Sequence, residues 1–251
     1  MTMANIAPRQ IAFDRPWAWL AAGWRDLWHA ADVSLWYGTV ASIGGLVLSG
    51  GLLAAGLEAL IPVLAGGFVL VGPIVALGLY DVSRRIERGE PVSVGETLKS
   101  AVRAAPRVSG FAVCLLLIYL IWVRIAFLLL MLFLGTNGVP PFHEFIPTLL
   151  FTPSGLGLLV TGTAIGAVLS TLVFALSAIS IPLMMERDID VVTAMVASVH
   201  TVVVNPKAMG LWAVLIAGFL CLGIATLGMG LVFIFPLIGH ATWHAYRDLI
   251  I

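Results

Sequence analysis

Phe111-Ala112-Val113-Cys114-Leu115-Leu116-Leu117-Ile118-Tyr119-Leu120-Ile121-Trp122-Val123-Arg124-Ile125-Ala126-Phe127-Leu128-Leu129-Leu130-Met131-Leu132-Phe133-Leu134 contains a single charge, Arg124. As a helix rising about 1.5 Å per residue, this stretch is long enough to cross a hydrocarbon layer of about 30 Å. Together with the preceding residues 108–110 it reads as a membrane span. The whole chain agrees, being 61% hydrophobic and only 10% charged, with a mean hydropathy of +1.08. Soluble domains carry about 25% charged residues. An all-α, polytopic membrane protein is therefore expected.

The same reading extends outward in both directions. Upstream, residues 15–31 begin with Pro16 in a first-turn position and carry Trp17, Trp19, Trp24 and Trp28 among polar groups, which suits a helix lying in the membrane interface. A first span over 33–57 contains Gly38, Gly44, Gly45, Gly50 and Gly51, small faces for close helix packing. A second, over 62–80, contains Pro73 and should kink there. Residues 81–107 are the most charged region: a helical extension, a turn at Gly89-Glu90-Pro91, then a helix capped by Ser93 with Glu96 three residues on. Downstream of the third span, a polar loop over 135–144 leads to a short apolar stretch ending at Phe151, placed along the opposite interface. The fourth span, 155–185, carries Gly162 and Gly166. After the charged exit Glu186-Arg187-Asp188-Ile189-Asp190 come an amphipathic helix over 191–204, a fifth span over 208–222, and a sixth that begins near Gly223 and ends around Asp248.

Twelve of the 13 Lys and Arg residues fall in the N-terminal segment, the loops after spans two and four, and the C-terminal end. The positive-inside rule then makes those loops and both termini cytoplasmic. The N-terminal segment is too mixed for a secretory signal, with Arg9, Asp14, Arg15, Arg25 and Asp26, and is expected to be retained. Cys114 and Cys221 offer neither metal spacing nor a disulfide framework. Net charge is zero without a basic arm, so nucleic acid is not an expected partner.

Three similar junctions, around Asp32, Pro106 and Pro206, lead into the odd-numbered spans, and the even spans carry Pro73, Pro182 and Pro236. We read an N-terminal tail over 1–14 and one transmembrane domain over 15–251, built as three copies of interfacial helix, span, turn and span, about 15–80, 92–185 and 190–248. The competing explanation is that every membrane hairpin needs small residues, a proline and an interfacial charge.

The motifs Trp24-Arg25-Asp26-Leu27, Gly78-Leu79-Tyr80-Asp81-Val82-Ser83-Arg84-Arg85-Ile86-Glu87-Arg88-Gly89-Glu90-Pro91 and Gly239-His240-Ala241-Thr242-Trp243-His244-Ala245-Tyr246-Arg247-Asp248 resemble the bacterial integral membrane family called domain of unknown function 2189, over nearly the whole chain from about residue 15. The resemblance implies a multi-span inner-membrane protein of proteobacterial type with no established activity and no functional residues to carry over. Some relatives bear the label of cytochrome c oxidase, which suggests association with a respiratory complex and nothing catalytic. A haem-copper core needs about six histidine ligands on several spans. Here His29, His143 and His200 fall in interfacial or loop segments, leaving two on one helix.

His240, His244 and Asp248 recur every four residues and share one helical face. Two imidazoles so spaced suit a metal such as zinc, with Asp81 and Glu186, emerging at the same rim, as further ligands. The competing reading counts about 27 Å of rise from Leu222 to His240 and takes the histidines as interface anchors, with no metal or other cofactor. Arg124, inside a span, marks an anion or proton path partnered by Glu58 or Glu144, or else snorkels to the outer interface. No nucleophile elbow, phosphate-binding loop or His-Glu-x-x-His motif is present, so no catalytic residue is expected. The expectation is a non-catalytic scaffold or assembly factor contacting the bilayer and other membrane proteins. A small-solute transporter and a metal-binding membrane protein are the alternatives.

Overall fold

The computed structural model describes residues 7–57, 60–135, 140 and 142–250, with side chains at all of these except 62, 67–71, 142 and 143. The described residues form eleven helices and no strand: α1 (Arg15–His29), α2 (Ala31–Ala54), α3 (Leu60–Val75), α4 (Leu77–Arg88), α5 (Val94–Leu134), α6 (Phe142–Phe151), α7 (Pro153–Ser177), α8 (Ser180–Glu186), α9 (Val191–Val204), α10 (Pro206–Ala225) and α11 (Leu231–Ile250). Four stretches are long and apolar enough to cross a membrane: α2, α5, α7 with α8 (Pro153–Glu186), and α10.

Three boundaries differ from the sequence reading. The helix capped by Ser93, whose hydroxyl accepts from the Glu96 amide at 3.3 Å, does not stop before the third span but runs on as the 41-residue α5. Pro106 lies within it, so the loss of one ladder bond does not outweigh the bonds on either side. The stretches expected as second and fourth spans are broken, not merely kinked. α3 gives way to α4 at Ala76, and α7 to α8 at Ala178 and Ile179. At the second break Ser180 Oγ lies 2.5 Å from the Leu176 carbonyl and 3.1 Å from the Ala194 carbonyl, and the Ile179 amide donates to Ser198 Oγ at 3.3 Å, so backbone at the break finds side-chain partners.

The third difference moves the histidines. α11 starts at Leu231, not near Gly223, because Leu227 and Gly228 adopt left-handed backbone with φ of 54° and 83°. The Thr226 hydroxyl closes this turn by accepting from the Gly230 amide at 2.8 Å. His240 consequently sits in the middle of its helix and is fully buried, not at a helix end.

Contacts divide the chain into two compact units. The first comprises Met1–Leu46, Gly72–Ala112 and Phe174–Ile251. Its centre is α11, to which α1 and α2 come at backbone contact, while α4 lays the Leu79 side chain on Gly239. A methyl group on Gly23 would lie 2.7 Å from the Ala241 amide nitrogen, and one on Gly38 would lie 2.0 Å from the Val232 carbonyl oxygen. Trp19, Trp212, Trp243 and Tyr246 fill the core around these crossings. The N-terminal segment is tied down too. The Asn205 amide accepts from the Ile11 backbone at 2.9 Å and donates to the Arg9 carbonyl at 2.8 Å, pairing with extended chain as a neighbouring strand would.

The second unit, Val47–Val71 with Val113–Val173, is apolar. Trp122 holds it together, its indole donating to the Val63 carbonyl at 2.8 Å between Gly66 and Gly166. Beside Trp122 a cavity of about 300 Å³ is walled by Leu129, Phe145 and Leu158, with the hydroxyls of Thr163 and Ser170.

Candidate functional site

The polar side chains of the first unit converge on the middle of α11. His240 lies between two serines: Ser34 Oγ, on α2, is 2.9 Å from its Nε2, and Ser83 Oγ, on α4, is 2.8 Å from its Nδ1. Ser83 also donates to Asp26 Oδ2, on α1, at 2.7 Å. The same carboxylate oxygen meets His244 Nε2 at 2.7 Å. Four helices thus contribute to one unbroken line of hydrogen bonds, Ser34, His240, Ser83, Asp26, His244.

Counting hydrogens fixes the direction of this line. Burial pushes the Asp26 carboxyl up, but hydrogen bonds from His244 and Ser83 outweigh it and hold the group below its ordinary value. It is therefore a carboxylate and accepts only. Ser83 has one hydrogen and gives it to Asp26, so toward His240 it must accept, which puts the ring proton on Nδ1. In the neutral ring Nε2 is then the acceptor for the Ser34 hydroxyl. Every donor points toward Asp26.

This order, hydroxyl to imidazole to an orienting carboxylate, is that of a nucleophilic relay with one serine interposed. Ser34 is nevertheless fully buried, and α1, α2, α4 and α11 meet around it at van der Waals distance. What the arrangement does chemically is fix orientation: each buried polar group has a partner, and the partners sit on different helices.

The candidate metal ligands do not come together. His240 spends both nitrogens on serines and His244 faces Asp26. Asp248 accepts from Arg15 Nε at 2.7 Å and Trp19 Nε1 at 2.9 Å. Asp81, fully buried, is gripped by Arg84 and Arg85 one turn along its own helix. Glu186 accepts from the Tyr246 hydroxyl at 2.9 Å and from Arg88 and Arg247 at 3.3 and 3.4 Å. Among the described residues no group of three or more His, Cys, Asp or Glu side chains is placed to hold a metal ion. The exits of α4, α8 and α11 do meet, through Glu186 and through an Arg247–Glu87 ion pair at 2.6 Å. Arg124, in the second unit, is exposed, and so is Glu144. Glu58 lies outside the described residues.

Sequence reasoning singled out His240 and His244 but not Asp26, Ser34 or Ser83. A usable signal was present, since polar residues inside helices that must pack in a membrane need partners, and Asp26, Ser34 and Ser83 are such residues.

No curated protein and no solved structure matches the chain. A family model described as predicted integral membrane protein, DUF2189, matches residues 60–186. Of the three motifs above, the central one, around Asp81 and Ser83, lies inside the match, and those around Asp26 and His240 flank it. The chain thus belongs to the DUF2189 family of predicted integral membrane proteins.

Proposed function

We propose that this chain is a non-catalytic scaffold or assembly factor of the bacterial inner membrane, with six spans in three hairpins, each preceded by an interfacial helix, and both termini cytoplasmic. The observation that carries the reading is the bareness of α2. Only 17% of its most apolar window is buried within the chain. Nothing among the described residues approaches within 4 Å of where a side chain would begin on Gly44, Gly45, Gly50 or Gly51. Glycines of this kind let a second helix come close in lipid, where van der Waals packing drives association.

Further support comes from three places. The polar line ties α1, α2, α4 and α11 together in one orientation, as a support requires. The distribution of Lys and Arg favours cytoplasmic termini. The placement of α1, the start of α5, and α9 ahead of α2, the rest of α5, and α10 favours a three-part plan.

Purification from native membranes in mild detergent should recover the protein with a stoichiometric membrane partner. Replacing Gly44 and Gly51 by leucine should release that partner while the chain remains folded. Recovery of the wild-type chain alone as a monomer would contradict the proposal.

A further inference from the structure

At about 1.5 Å per residue, the 41 residues of α5 extend about 61 Å, twice the hydrocarbon thickness of about 30 Å. Roughly half of this helix must lie outside the hydrocarbon. Its N-terminal part packs inward through Thr97, Ser100 and Val108, all buried. One strip of the outward side is apolar, with Val102 72% exposed and Leu98 beside it. Past the exposed Pro106 and Ser109, the same face goes on to Val113, Leu116 and Leu117, which are exposed too, on the part that is apolar enough to span a bilayer.

Beside the row run Lys99, Arg103 and Arg107, four residues apart and so on one face. The Lys99 and Arg103 side chains are 69% and 70% exposed. Glu96 pairs with Lys99 at 2.9 Å and stands 4.0 Å from Arg103, leaving three cations against one carboxylate. Arg107, nearest the apolar part, makes no hydrogen bond or ion pair with the described residues. α1 and α9 also turn apolar side chains outward, among them Trp17, Trp24, Val192 and Val203, but neither carries such a basic row.

We propose that Lys99, Arg103 and Arg107 form a binding surface for the phosphate headgroups of anionic phospholipids, against which the N-terminal part of α5 lies. The apolar row and the basic row are adjacent on one helix. The first is continuous with surface that hydrocarbon covers, so the second comes to headgroup level, where long cationic side chains reach phosphate while their stems stay apolar. Three uncompensated or shared cations complement anionic lipid and have no counterpart in a zwitterionic surface. The inference needs no protein partner and stands apart from the scaffold proposal.

The test is native mass spectrometry of the full-length protein released from vesicles of equal phosphatidylglycerol and phosphatidylcholine. The wild type should retain phosphatidylglycerol preferentially, and the preference should fall as salt rises. The triple variant K99Q/R103Q/R107Q should lose it, at about fivefold per charge at low ionic strength. Arg107→Gln alone should show one such step, which keeps the test standing should the triple variant misfold. The control pair R25Q/K207Q, basic residues off this row, should leave the preference intact. Equal retention of both lipids by the wild type, an unchanged preference in the triple variant, or an equal loss in the control pair would overturn the proposal.

Discussion

The two compact units of this chain are held by different physics. In the first, α1, α2, α4 and α11 meet at glycines and then lock through hydrogen bonds among Ser34, His240, Ser83, Asp26 and His244. In the second, shape does nearly everything: Trp122 wedges between Gly66 and Gly166 beside a cavity of about 300 Å³, with one indole bond to Val63. Buried hydrogen bonds are costly when half made, so a polar line admits one arrangement of its helices. Apolar packing tolerates repacking at modest cost. The comparison teaches that the first unit is specified by orientation and the second by volume.

The largest test of that contrast is Ser83→Ala. It takes one acceptor from His240 Nδ1 and a donor from Asp26, so a loss of about 2 kcal/mol is expected. It should be measured as a shift in thermal unfolding of the detergent-solubilised protein against wild type. A smaller effect belongs to Trp122→Phe, which keeps most of the ring volume and loses one indole bond, for about 1 kcal/mol by the same measurement. A Trp122→Phe cost exceeding that of Ser83→Ala would reverse the assignment of orientation to one unit and volume to the other.

Membrane character and the Ser93 cap were legible in the residues, because they depend on local spacing and hydropathy; of the α2 glycines expected to pack, Gly38 meets α11 while Gly44, Gly45, Gly50 and Gly51 meet nothing among the described residues. The shared face of His240, His244 and Asp248 was legible as well. Its occupant was not. Each of the three meets a different partner, and those of His244 and Asp248 both lie on α1, more than 200 positions away in sequence. Pairing at that separation leaves no periodic trace. Asp81 and Glu186 looked available as ligands because a sequence shows carboxylates but not their satisfaction by Arg84, Arg85, Arg88 and Tyr246. The start of α11 was misplaced for a local reason, since the turn was read at Gly223, whereas Gly228 takes the left-handed backbone five residues on. α9 inverts the usual pattern, with Ala194, Ala197, Ser198 and Thr201 buried and Val192 and Val203 exposed. Valine outside and serine inside is the arrangement expected of a helix covered by lipid, where small residues face protein.

The central claim is that the line through α11 runs one way, toward Asp26. The most direct measurement is the ¹⁵N spectrum of the full-length protein, labelled at histidine, in bilayers at neutral pH, with the His240 signals identified by their absence from His240→Gln. The account predicts a neutral His240 ring protonated at Nδ1, with an unprotonated Nε2 that accepts a hydrogen bond and responds to Ser34→Ala. A proton on Nε2 with Nδ1 bare, or a doubly protonated ring, would contradict it.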